Sequence, residues 1–567
     1  MKVLRINVRT KTVVAEEVPQ NWQRLGGRGL IARILLDEVP PKCDPLGRYN
    51  KLIFANGFLS GYVLSSCDRI SIGGKSPLTG GIKESNSGGT TGSQMARLGL
   101  KALILEDLPE EKGFGVIHIS KQGVVFDDAN SLVNLGTYET TLQLRSKYGK
   151  KAAMALIGPA GERQLFSACI NNLDTDGRPS RVSGRGGLGA VMGSKGIKAI
   201  VFDGYGEKMD PPFDQVLFAE TRKQFTQSLL NNAQVAVWRD YGTAANVAIT
   251  NMLGCFPVNG FSAGRMENSN EISGEKMREL LLERPAPANP THACMPGCVI
   301  RCSNVFGDDK GNEIVAPLEY ETIGLMGGNL GIDSLDTIGK MNWYANDLGV
   351  DTIELGATIG VVAEAGLIKY GNVDQIFDCI QQIYQNTPLG RILGSGASLA
   401  GKILGVKRVP VVKGQAFAAY DPRGLKGTGI TYATSPQGAD HTAGFTMRAK
   451  VNHQDPIANV PLSRQTQINT AAVDSLGACL MVSAAFASST SMLKNLLHSI
   501  HGWDVTENIQ QEMGKEVILM EREFNRGAGF TEVDDRLPEW LSDEPLPPTN
   551  VVFDVTNSAI ETIFNDI

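Results

Sequence analysis

No window of 18 residues runs without polar interruption, so no membrane span is expected. No long basic run is present and the net charge is −6, which argues against nucleic acid as the main partner. The first eight residues, MKVLRINV, alternate like a strand instead of passing from a charged start into an apolar core. No leader is therefore expected, and a cytoplasmic location is. The nine cysteines are odd in number and widely spread, which is not a disulfide framework. Neither an internal repeat nor a low-complexity tract is apparent.

What is present points to a large globular chain. Its 567 residues exceed what one hydrophobic core usually supports, so two or three domains are expected. Hydrophobic residues make up 42% and charged residues 20%, ample for a buried core. Glycine, at 64 residues, lies well above the usual ~7% and concentrates in short motifs, which suggests backbone approaching something bulky.

Up to about residue 207, strand-like runs at 2–8, 51–55, 69–73, 102–106, 115–120, 153–157 and 197–202 alternate with glycine-rich loops. Beyond 211 the period becomes helical, most clearly at 213–232, 274–283, 334–348, 352–365 and 373–384. Residues 415–429 read as loop, and helix returns near 471–492 and 505–525. The fold class is therefore α+β. Expected domains are a β-rich 1–207, a helical 208–412 with a cysteine motif, and a mainly helical 413–567.

The strongest chemical signal is Cys294-Met-Pro-Gly-Cys298-Val-Ile-Arg-Cys302. Thiolates spaced this closely wrap one compact centre, and a fourth can arrive from far away, as in iron–sulfur clusters. Zinc usually takes ligands in pairs, and no second pair exists here. Three plainly buried cysteines are the bland alternative. Cys479 is the best fourth candidate. Cys43, Cys67, Cys169, Cys255 and Cys379 stand singly and are expected to ligate nothing.

Residues 183–189, SGRGGLG, contain a GxGxxG pattern, with Asp203 following a strand about 20 residues on. The context fails for a dinucleotide: 171–181 is not strand-like, and the seven residues before the next strand are too short for a crossover helix. Gly184, Arg185, Gly186 and Gly187 instead suit a loop whose bare N–H groups cradle other phosphates. In KSPLTGGIKESNSGG at 75–89, the run Asn86, Ser87, Gly88 and Gly89, with Arg69 upstream, suits a phosphate or a magnesium held by an amide oxygen. A turn-rich hairpin is the alternative there.

These pieces occur together with GGRG at 26–29, KLIFA at 51–55, IGPAGE at 157–162, PLEYETIGLMGGNLGI at 317–332 and NDLGVDTI at 346–353. AYDPRG at 419–424, DSLGAC at 474–479, FNRGAG at 524–529 and DDRLPEW at 534–540 follow in order. Over nearly its whole length the sequence resembles the tungsten-containing aldehyde:ferredoxin oxidoreductases, as a divergent member. The resemblance implies a β-rich domain seating a tungsten or molybdenum bis-pterin, capped by two helical domains. It implies one 4Fe–4S cluster on Cys294, Cys298, Cys302 and Cys479. A magnesium would join the pterin phosphates through Asn86 and the carbonyl of Val182. Arg69 would bridge cluster and pterin, and Arg181 would lie near the phosphates. The pterin-gripping motifs fall on Asn346, Gly349 and Asp351, and on Asp474, Gly477 and Cys479. Glu321 would act as general base and His441 would polarise the substrate oxygen, neither of them ligating metal.

Two departures stand out: the cysteine spacing is C-x3-C-x3-C where the family has C-x2-C-x3-C, and Asn346 replaces an aspartate. The implied reaction oxidises an aldehyde-like substrate and passes electrons to a ferredoxin or an Fe–S partner subunit, in a homo- or hetero-oligomer. A low-potential reductase of an aromatic or carboxylic substrate, and a non-catalytic electron-transfer subunit, are the competing expectations.

Overall fold

A computed structural model describes residues 1–489 and 491–567. Strands β1 (Lys2–Asn7), β2 (Thr12–Glu17), β3 (Leu52–Asn56), β4 (Ile70–Lys75), β5 (Ile82–Ser87) and β6 (Leu100–Glu106) form one sheet, ordered β2-β1-β6-β3-β4-β5. Strands β7 (Gly115–Ser120), β8 (Gly123–Asp128), β9 (Ala153–Leu156), β10 (Ile170–Asn172), β11 (Arg181–Ser183) and β12 (Ile197–Asp203) form a second, ordered β11-β10-β9-β12-β7-β8.

The second sheet repeats the first. Each opens with an antiparallel hairpin, β1–β2 or β7–β8. In each, the first and last strands, β1 with β6 and β7 with β12, pair in parallel, and the remaining pairs are antiparallel. Helices Gly27–Glu38 and Thr137–Tyr148 follow the hairpins, and Thr91–Arg97 and Leu188–Ser194 precede the last strands. The expectation of no internal repeat is thus overturned. The repeat escapes a sequence reading because topology survives while side chains do not. Its visible trace is LGLKALILE at 98–106 against KGIKAIVFD at 195–203, where Lys101 and Lys198 reach the carbonyls of Gln23 and Leu135.

Two further expectations need correction. Residues 171–181 do contribute strand, in β10 and the start of β11, and a seven-residue helix, Leu188–Ser194, fits between the glycine loop and β12. Even so β11 and β12 are not neighbours in the sheet, so no βαβ crossover forms. The helix expected over 471–492 instead runs Asn459–Leu476 and stops at Gly477.

Beyond β12 the chain is mainly helical, with two small sheets. Two of its helices dock end-on against the large sheets. Helices Leu335–Leu348 and Asn459–Leu476 each finish on a left-handed glycine, Gly349 (φ 73°) and Gly477 (φ 72°). These glycines offer their carbonyls to the N–H groups of Cys169 and Arg69, each at 2.9 Å. The residues two further on donate back: Asp351 N–H to Ser167 O at 3.0 Å, and Cys479 N–H to Ser66 O at 2.8 Å. The same four-atom clasp therefore occurs once on each half. Both contacts need glycine opposite them. A Cβ at Gly57 would lie 2.0 Å from Gly477 N, and one at Gly158 would lie 2.2 Å from Leu348 O.

Gly57→Ala is accordingly expected to destabilise the chain by about 3 kcal/mol or more, since backbone must move to admit the methyl. Gly80→Ala, with nothing within 4 Å but φ +77°, should cost only about 1–2 kcal/mol. Denaturant unfolding of the two variants checks the difference.

Candidate active site

The two half-repeats meet at the ends of β5 and β11. Ser87 and Ser183 place their hydroxyls 3.2 Å apart, and Asn172 donates to Ser87 at 3.0 Å. Asn86 and Val182, the preceding residues, therefore flank one junction. The Asn86 amide oxygen faces the Arg69 guanidinium, and its Nδ2 donates to Asp474 at 3.1 Å. Gly88 and Gly89 continue from β5 against the cysteine motif. A Cβ at Gly88 would lie 3.2 Å from Cys294 Sγ, and Gly89 N–H donates to Cys294 O at 3.0 Å. In the matching loop, Gly186 and Gly187 are left-handed (φ 84° and 74°) and Gly184 precedes them. Arg185 from this loop donates to the carbonyls of Ala439 and Ala416 at 2.5 and 2.6 Å and to Asp351 at 3.2 Å.

The expected pterin motifs lie where the docked helices end. Asp474 is buried and accepts from Arg28 at 3.2 Å, while Arg28 grips Glu521 through two bonds of 2.8 Å. Burial raises the Asp474 pKa and Arg28 opposes it. Each of its oxygens keeps a second lone pair for another donor. On the other half, Asp351 caps its own helix, accepting from Ile353 N–H at 3.0 Å. Asn346 Nδ2 reaches Tyr138 Oη at 3.5 Å, so this seat presents a neutral amide where its counterpart presents a carboxylate. Arg181 is buried beside Ser303 (3.3 Å) and Glu319 (3.6 Å), and its Nε has no partner among the described residues.

Cys294, Cys298, Cys302 and Cys479 come together, each close enough to another for charge on one to shift the next. Burial pushes the thiols of Cys302 and Cys479 up. Cys298 goes the other way, to about 6, because the Cys294 thiol donates to it and, against burial, so do the Ser66 hydroxyl and the N–H groups of Arg301 and Ile300. Among the described residues no three of these sulfurs lie within 4.8 Å of one another. Tetrahedral zinc would hold them about 3.8 Å apart. Cys67, also buried here, turns its thiol to Ser65 O at 3.3 Å. Asp174, Asp176 and His292 form another group of possible ligands, but Arg178 already pairs with both aspartates, at 3.3 and 2.6 Å.

Glu321 and His441, 120 positions apart, are brought to 3.1 Å between Oε1 and Nε2. Glu321 sits in the first turn, Tyr320–Thr322, of a helix that continues as a π-helix over Ile323–Gly327, and its Oε2 accepts from Ala419 N–H at 2.8 Å. The turn is fixed by Tyr320, whose hydroxyl donates to Ala419 O at 2.6 Å. His441 opens a short turn after Asp440, which pairs with the fully buried Lys83 at 2.8 Å. Burial disfavours charge on Asp440, yet Lys83, Arg185 and His441 outweigh it and hold its pKa well below the usual range. Beyond the 3.1 Å contact of Oε1 with the histidine ring, Glu321 Oε1 and His441 Nδ1 are buried with no other hydrogen-bond partner among the described residues. Such orphaned atoms are what a substrate or a cofactor would satisfy. The sequence reading missed Arg28, Lys83, Asp440, Glu521 and Ser66. Lys83 carried a signal, since a charge in the middle of a strand between glycine loops has to be paired.

The family model described as aldehyde ferredoxin oxidoreductase, N-terminal domain, matches residues 3–204, and the one for domains 2 and 3 matches 220–562. The tungsten-containing aldehyde ferredoxin oxidoreductase of Pyrococcus abyssi is 34% identical, over 96% of this chain and 92% of its own length. That of Pyrococcus furiosus is 32% identical over the same shares. The WOR-like subunit of an aliphatic sulfonate oxidoreductase from Pyrococcus furiosus is 28% identical over 79% of this chain and 76% of its own. Among solved structures, the active-site complex BamBC of benzoyl coenzyme A reductase superposes with a TM-score of 0.79 at 18% identity, covering 95% of this chain and 90% of that one. At that identity the likeness speaks for the fold. With both family models spanning nearly the whole sequence and a β-rich double half followed by helices, the chain is an oxidoreductase that belongs to the aldehyde ferredoxin oxidoreductase family.

Proposed function

We propose that this chain is the catalytic subunit of a tungsten- or molybdenum-bispterin enzyme that oxidises an aldehyde-like substrate to the acid. The observation that carries the reading is the Glu321–His441 pair, drawn from distant segments to 3.1 Å, with capacity left on Glu321 Oε1 and His441 Nδ1 for a further partner. The domain division 1–207, 208–412 and 413–567 is proposed with it, so that the pair spans the second and third domains. Relatives 32–34% identical are named as tungsten-containing, which supports that metal.

In this reading Asp474 and Gly477 hold one pterin, and Asn346, Gly349 and Asp351 the other. Arg69, Arg181, Arg185, Ser87 and the glycines at 88, 89, 184, 186 and 187 would face the phosphates, with magnesium between Asn86 and the Val182 carbonyl. Cys294, Cys298, Cys302 and Cys479 hold a 4Fe–4S cluster. The metal–pterin group supplies two-electron chemistry when bound, and the cluster a one-electron outlet.

The protein's own part is proton handling and orientation. Adding water to an aldehyde and removing two electrons releases two protons along with the acid. Glu321 Oε1 takes a proton, because Oε2 is already committed to the Ala419 amide. With its ring protonated, His441 donates from Nε2 to that carboxylate and from Nδ1 to a substrate oxygen. Tyr320 and Ala419 fix the carboxylate, while Lys83 and Asp440 fix the histidine. Two electrons leaving one at a time call for a ferredoxin or an Fe–S subunit as partner.

Glu321→Gln keeps shape and hydrogen bonding but takes no proton. Turnover per bound metal should fall by about 10²–10⁴-fold with metal and iron content intact. Near-native normalised turnover would remove Glu321 from the mechanism. Cys479→Ala should leave fewer than about four irons per chain. Iron undiminished by the change would remove Cys479 from the ligand set.

A further inference from the structure

Ser66 is one of twelve non-glycine residues with positive φ among the described residues, at 61°, and it is 1% exposed. Its carbonyl accepts from Cys479 N–H at 2.8 Å, and its hydroxyl donates to Cys298 Sγ at 3.2 Å. It therefore touches two of the four clustered cysteines, which lie 181 residues apart in the chain. Ser65 beside it accepts from Val299 N–H at 3.0 Å, and its own hydroxyl lies 3.3 Å from that of Ser66. A glycine would take this backbone more easily, so the cost of a side chain here has to be repaid by what the side chain does.

We propose that Ser66 is a positioning residue for the iron–sulfur centre, and that the hydrogen bond from its hydroxyl to Cys298 sets how readily that centre accepts an electron. The proposal rests on the reading of Cys294, Cys298, Cys302 and Cys479 as the cluster's ligands. A cluster that gains an electron gains negative charge, part of it on its thiolate sulfurs. A donor aimed at one of those sulfurs stabilises the reduced form more than the oxidised one. Hydrogen bonds to sulfur are among the levers that set cluster potentials. The burial of Ser66 excludes water that would otherwise replace the lost donor. The N–H groups of Ile300 and Arg301 act on the same sulfur, but they belong to the backbone and persist when a side chain is changed to alanine or glycine. Ser66 is thus the adjustable donor of the set.

The test uses the full chain, loaded anaerobically, as wild type, Ser66→Ala and Ser66→Gly. Iron per chain is counted, and the reduced cluster's paramagnetic signal is titrated against a graded reductant. Both variants lack the hydroxyl, while glycine relaxes the strained backbone and keeps the carbonyl bond to Cys479. Both should keep wild-type iron. Both should hold the electron about tenfold less tightly, which is 59 mV more negative for a one-electron couple. An unchanged potential in either iron-loaded variant overturns the proposal. So does failure of both variants to load iron, which would make Ser66 a clasp and nothing more. A wild-type chain that binds no iron would instead sink the reading of the cysteines as cluster ligands.

Discussion

Everything in this molecule hangs on two places where backbone meets backbone with no side chain between. Helix ends leave carbonyls unsatisfied, and burying them is costly unless something donates. Here the donors come from the sheets: the N–H groups of Arg69 and Cys169 cap the glycines that end two helices. Those bonds form only because Gly57 and Gly158 let the chains approach within a methyl's reach. The docking delivers Asp474 and Cys479 to one half and Asn346 and Asp351 to the other. Each candidate pterin seat is therefore made by the same contact that joins helical chain to sheet, and seat and interface stand or fall together.

Around these contacts lies an unusual amount of buried charge. Arg28 lies between Asp474 and Glu521, Arg185 beside Asp351, and Lys83 on Asp440. Buried pairs like these contribute little net stability, yet removing one partner strands the other. Their value is geometric. Gln437 links two of the networks, accepting from Glu84 N–H at 2.7 Å and donating to Glu521 at 2.6 Å. The histidine-bearing turn is thereby fixed against both β5 and the C-terminal helices. A general acid–base group depends on such fixing, because proton transfer tolerates little error in distance.

The helices were largely legible in the sequence because their apolar spacing is regular; residues 373–384 form the expected element. Of each opening hairpin the inner strand, at 2–8 and 115–120, was legible, and the edge strand β2 or β8 was not. The strands that carry the site were not. β5 reads Ile-Lys-Glu-Ser-Asn-Ser, and its buried Lys83 and Glu84 erase the alternation that marks a strand. β11 is three residues long, too short for any period. The cysteine cluster and the Glu321–His441 pair were visible as residue types and through family resemblance. Their proximity was not, since it depends on folding segments 120 to 185 positions apart. The internal duplication stayed hidden for the opposite reason: it is written in strand order, and side chains record almost none of it.

The duplication makes the two halves interchangeable in outline, and the exceptions to it are instructive. At the position two residues beyond the capping glycine, one half presents the carboxylate of Asp351 and the other the thiol of Cys479. An oxygen ligand and a sulfur ligand differ sharply as stepping stones for electrons. A molecule with perfect twofold equivalence would have two outlets or none. On the proposed reading of the four cysteines, that one difference makes the chain a rectifier: an otherwise twofold chamber with its electron outlet on a single side.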